Sequence, residues 1–174
     1  MKQRTVIYSM VLLIVVIMVG ASELLHQKEI IFPEITAIAV GAFMAPGLSW
    51  KTSRIRILIF VMICALAGVG IVLFVPGSVW FRVTLAYGIA EVIYLLSGTS
   101  FAPMISAIAL PVLLGTESPI YPMAAFLLTV LILGCHVLLE KGRIKEPIDF
   151  TPVKPQKGDW ADAGIRLGLV LITA

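Results

Sequence analysis

About six apolar runs, all but one of them near the length that crosses a bilayer and separated by short polar or basic breaks, leave this chain few ways to fold. The first runs from Val6 to Ala21 and extends past Glu23 to Leu25. The second begins near Ile31 and continues to Trp50, broken by Pro33, Gly41 and Pro46. The others are Ile55 to Val75, Val79 to Leu96, Phe101 to Leu114 and Ile120 to Leu139. Lipid gives a backbone no water to bond to, so runs of this kind become membrane-crossing helices. Composition agrees: 13% of residues are charged, about half of what a soluble domain carries. A basic start followed by Val19-Gly20-Ala21 also fits a cleavable leader. The further apolar runs favour a membrane-embedded first helix instead.

Several classes of chemistry find no support. Cys64 and Cys135 each sit inside an apolar run and read as packing residues, not as a disulfide framework or metal ligands. C-x-x-C, H-E-x-x-H, Walker-type and G-x-S-x-G patterns are absent. The expectation is therefore no enzyme activity, no catalytic residue, no metal and no cofactor. The net charge of +3 comes from cations clustered beside apolar runs, where they set orientation in a bilayer and do not signal nucleic acid.

One stretch has an internal near-copy. Pro33-Glu34-Ile35-Thr36-Ala37-Ile38-Ala39-Val40 returns as Pro103-Met104-Ile105-Ser106-Ala107-Ile108-Ala109-Leu110. Pro, Ile, Ala, Ile and Ala recur in register, and Thr36/Ser106 and Val40/Leu110 are conservative pairs. Proline and hydroxyl residues at membrane depth mark broken or closely packed helices. Paired broken segments in the two halves of a chain point to a transporter site. Phe101–Leu114 as a straight helix reaches about 21 Å, short of the roughly 30 Å hydrocarbon core. It must thin the bilayer, continue as non-helical backbone or re-enter.

Orientation follows from the cations. With residues 1–5 inside, the connections at 50–56 and 141–157 also fall inside, carrying Lys51, Arg54, Arg56, Lys141, Arg143, Lys145, Lys154 and Lys157. This count requires Phe101–Leu114 to cross. Three crossings per half make the second half enter from the opposite side, so the Pro-led segments run antiparallel. The expected fold is all-α, a polytopic membrane helical bundle of about six transmembrane segments. They form two inverted three-helix repeats with short broken helices. Residues 1–140 form the transmembrane domain, with repeat one about 6–75 and repeat two about 79–140. Residues 141–160 are a cytoplasmic linker. Residues 161–174 are an interfacial helix or the start of a further span in a longer chain.

Pro33–Trp50 with its basic turn, and Ser100–Leu114 followed by a long apolar helix, resemble the HPP family of small integral membrane proteins. The resemblance covers residues 31–140. Some members of that family are linked to nitrite transport in plastids and cyanobacteria, so the resemblance implies a membrane transport role. The His-Pro-Pro hallmark position reads Phe101-Ala102-Pro103 here. Only the last proline matches, with Ser106 and Ala107 in the small-residue portion, and the family's substrate does not carry over. A looser likeness joins the chain to aromatic-acid exporter membrane domains.

The expected function is passage of a small solute, a small anion, between the paired broken helices of a bacterial inner-membrane protein that pairs as a homodimer. The candidate substrate-binding residues are Pro33, Glu34, Thr36, Pro103, Ser106 and Glu91. Glu91 lies inside an apolar run, where an ionisable group is costly, and it leads as the proton-handling residue. Arg82 lies on roughly the opposite face of that helix and should not pair with it. Glu34 equally suits the positive end of its helix. His136 suits a helix–helix hydrogen bond or a proton relay. The alternative is a non-transporting subunit or sensor that docks a partner protein.

Overall fold

The computed structural model describes residues 2–44, 50, 52–144 and 156–173. All regular structure there is helical: α1 Lys2–Leu25, α2 Pro33–Phe43, α3 Arg54–Phe74, α4 Val79–Ser97, α5 Pro103–Leu114, α6 Ile120–Lys141 and α7 Lys157–Thr173. A short 3-10 turn, Lys28–Ile30, precedes α2. Four helices are long and apolar enough to cross a membrane, within Arg4–Leu25, Arg54–Phe74, Val79–Ser97 and Ile120–Lys141. Among the described residues, the other two apolar runs hold the 11-residue α2 and the 12-residue α5, about 17 and 18 Å long. Residues 45–49, the end of the second run, and 145–155, most of the linker, lie outside the described residues.

Local chemistry sets these boundaries. Pro33 and Pro103 occupy the first turns of α2 and α5, where a missing N–H costs nothing and the fixed φ already suits a helix. Ser78 caps α4, its hydroxyl accepting from the Phe81 N–H at 3.3 Å. α5 stops at Gly115, whose φ of 64° is left-handed and favours glycine. The Gly115 N–H reaches the Val112 carbonyl at 3.3 Å and the Thr116 N–H reaches that of Pro111 at 2.9 Å. α7 begins at Lys157, ahead of its apolar run, where the Asp159 carboxylate accepts from the Gln156 N–H at 2.7 Å.

Contacts at the helix ends orient the bundle. Arg54 at the start of α3 is ion-paired with Glu140 at the end of α6. Arg56 donates to the Ser97 carbonyl at the end of α4, at 2.7 Å. At the opposite end Arg82 of α4 donates to the Val75 carbonyl just past α3, at 2.8 Å. Each arginine meets the negative end of a neighbouring helix. α3 therefore runs antiparallel to both α4 and α6. Consequently residues 98–119, which join the end of α4 to the start of α6, pass from one end of the bundle to the other.

α5 lies at the centre, packed against α2, α3 and α4, while α2 packs against α1, α5 and α6. The approach of α3 to α5 depends on Gly68. A methyl group there would sit 2.4 Å from the Ile108 carbonyl oxygen and 2.5 Å from the Pro111 ring. Small residues of this kind let helices meet backbone to backbone in a membrane. Cys64, one turn earlier, is fully buried on the same seam. The outer faces of α1, α3 and α6 present Leu12, Leu13, Leu66, Phe74 and Leu127. Such faces suit lipid tails.

Candidate functional site

The first turns of α2 and α5 come together side by side. Glu34, second residue of α2, is 7% exposed. Its carboxyl group lies within hydrogen-bonding reach of the Ser106 hydroxyl on α5 and of its own backbone N–H. One carboxyl oxygen, Oε2, has no hydrogen-bond partner. Ser106 Oγ also lies 3.1 Å from the Pro103 carbonyl, so its single proton serves either the carbonyl or the carboxyl group, not both. Both helices begin at this region, the partially positive ends of their dipoles, although the Ile35, Met104 and Ile105 N–H groups already reach the Phe32, Phe101 and Ala102 carbonyls.

Tyr121 of α6 closes the cluster. It is buried, its ring packs edge-on against Phe32 at 5.0 Å between centroids, and it lies near both Glu34 and Cys64. Its hydroxyl donates to the Ala107 carbonyl at 3.1 Å. The reason lies in α5 itself. Pro111 sits inside that helix and has no N–H for the carbonyl four residues back, that of Ala107. The α6 tyrosine supplies the missing donor. Phe32 is tied to α1 in turn, its N–H facing Met18 Sδ at 3.3 Å.

Among the sequence candidates, Pro33, Glu34, Pro103 and Ser106 therefore belong to one neighbourhood. Thr36 is half-buried two residues beyond Glu34, on a different face of α2. Met104, the counterpart of Glu34 in the repeated segment, is fully buried and apolar.

Glu91 has a separate environment. It is 3% exposed and faces Arg166 of α7. Its Oε2 accepts from Arg166 Nη2 at 3.1 Å, and Oε1 lies 3.1 Å from Nε without hydrogen-bond alignment. Tyr87 also lies beside it, and the Arg166 guanidinium sits 6.0 Å from the Tyr94 ring centroid. The residues that sequence reasoning passed over are thus Tyr121 and Arg166. A proline inside α5 signalled a carbonyl in need of a donor. No comparable signal named the donor, because Tyr121 and Arg166 reach their partners across the bundle.

No group of three or more His, Cys, Asp or Glu side chains able to hold a metal lies among the described residues. Comparison with family models, with curated proteins and with solved structures finds no match to this chain.

Proposed function

We propose that this chain carries a small anion across a bacterial inner membrane, at a site between the first turns of α2 and α5. The observation that carries the reading is the meeting of two proline-led half-length helices around buried polar groups. Half-helix N-termini at membrane depth attract anionic solutes. On this reading the chain crosses the bilayer six times, α2 and α5 completing their crossings with the residues beside them.

The two halves are inverted repeats, with α1, α2 and α3 matching α4, α5 and α6. The packing supports this. Exchanging the two sets turns α3–α5 contact into α6–α2, α4–α5 into α1–α2 and α3–α4 into α6–α1, and each of these pairs is in contact. The α2–α5 and α3–α6 pairs map onto themselves and are also in contact. The matching proline-led segments fall in α2 and α5, as such a repeat requires. A distant relationship to the HPP family accords with this plan, and two chains together build a thicker wall around the pathway.

Purified protein in liposomes tests the reading, with chloride, nitrate, formate and acetate offered in turn. The expected result is flux of at least one anion above that of protein-free vesicles. No flux of any of the four, together with a stable co-purifying membrane protein, favours a docking subunit instead.

A further inference from the structure

We propose that the Glu34 carboxyl group, lodged between α2 and α5 against the Ser106 hydroxyl, takes up and releases one proton together with the anion. The inference rests on the transport reading above and adds the coupling ion and the residue that carries it. Three observations support it.

First, Glu34 is nine-tenths buried and its Oε2 has no partner. A buried carboxylate normally has a cation or several donors around it. The ion pairs among the described residues, Arg54–Glu140 and Arg166–Glu91, leave Glu34 out.

Second, among the described residues no cation pairs with it: in the turn before α2, Lys28 is exposed and Glu29 is half-buried. α5 contributes Ser106 and contains no ionisable residue. α6 contributes Tyr121, with Cys64 of α3 beyond it. His136 of α6 lies about four turns further along that helix. α1 carries Glu23, exposed near its end. The remaining favourable field at Glu34 comes from two helix N-termini, and an arriving anion would compete for it. Two negative charges a few ångströms apart in a weakly polar interior repel strongly. Anion entry therefore draws a proton onto Glu34, and anion release lets it go.

Third, Ser106 can accommodate both states. Its proton can turn to the carboxylate. When Glu34 is protonated, the acid O–H can donate to Ser106 Oγ while the Ser106 proton turns to the Pro103 carbonyl, 3.1 Å away. The exchange needs one hydroxyl rotation and no backbone movement. Glu91 does not fill this role, since Arg166 already neutralises it.

Two measurements on the full chain test the proposal. In liposomes with an inward proton gradient and equal anion on both sides, wild type should accumulate the transported anion several-fold. Glu34→Gln should lose accumulation, and Glu34→Asp should restore part of it. In infrared difference spectra, adding the same anion to purified wild type should produce a carboxylic acid C=O band. That band should be absent in Glu34→Gln. If Glu34→Gln does not fold, the band should change frequency in Ser106→Ala.

Accumulation that ignores the proton gradient, or persists in Glu34→Gln, overturns the proposal. So does anion binding with no carboxyl band. A band without flux of any probe would leave Glu34 as a proton-linked anion site and remove the transport reading. Neither band nor flux removes both.

Discussion

Tyr121 shows how one side chain repairs a fault that another creates. Pro111 leaves the Ala107 carbonyl of α5 without its helical donor, and the Tyr121 hydroxyl fills the gap at 3.1 Å. A buried carbonyl stripped of its only donor costs about 1–3 kcal/mol. Tyr121→Phe should therefore lower stability by about that amount, read as a fall in thermal or denaturant midpoint in detergent. In a Pro111→Ala background the helix supplies its own N–H, and the same substitution should cost roughly 1 kcal/mol less. Equal costs in both backgrounds would show that the tyrosine acts through packing alone. Part of this residue-scale picture was legible from sequence. Glu34 and Ser106 stood out because the repeated segment marked them. Tyr121 did not, since an aromatic residue at the start of an apolar run is ordinary. Its role exists only because α6 passes Ala107.

At the scale of the helices, two contacts carry distinct consequences. α3 and α5 approach through Gly68, where an added methyl would meet backbone oxygen at 2.4 Å. A carbonyl in a packed helix cannot swing aside as a side-chain tip can. Gly68→Ala should destabilise the bundle by about 1–3 kcal/mol, as overpacking does. Gly70, with open space around its Cβ position, should tolerate alanine with little change in melting temperature. α7 is fastened differently, through Arg166 and Glu91. Arg166 is 43% exposed and Glu91 is 4%, so the pair lies between the exposed and buried limits. Arg166→Ala should cost about 1–3 kcal/mol and expose α7 to protease before the rest of the chain. Unchanged digestion would mean that the apolar packing of Leu167 over the α4 groove lined by Leu85, Gly88 and Ile89 holds α7 unaided. Sequence located the long helices well, because apolar runs and their breaks are local properties. It could not show how much of the second and fifth runs is helix. That depends on where prolines start the turns and on what the neighbouring helices pack against.

Viewed whole, the bundle gathers Arg54, Arg56 and Lys141 at one end and leaves Arg82 at the other. Arg54 and Arg56 open α3 at the first end, and Lys141 closes α6 beside Glu140. On the proposed reading, the positive-inside pattern puts that end in the cytoplasm. Single cysteines introduced at Ser53 and Arg143, in a chain with Cys64 and Cys135 replaced by alanine, should react with a membrane-impermeant reagent only in inverted vesicles. A cysteine at Ser118, in the turn before α6, should react only in intact cells. Labelling of Ser53 and Ser118 positions from the same side would contradict the sixfold crossing. The inverted pairing of halves was suggested by eight residues of near-identity and nothing longer. If the halves are repeats, the rest of each has drifted, since a helix facing lipid accepts almost any apolar side chain of similar bulk.

Met104 stands in α5 where Glu34 stands in α2. A repeated unit would usually double its working parts, yet of the two similar segments only one carries an acid. If Glu34 couples the cycle, the stoichiometry is fixed at a single hydrogen ion per turnover per chain. One monovalent anion moving with it would then transfer no net charge. Membrane voltage would have little purchase on such a carrier, and the pH difference alone would set how steeply it can concentrate its cargo.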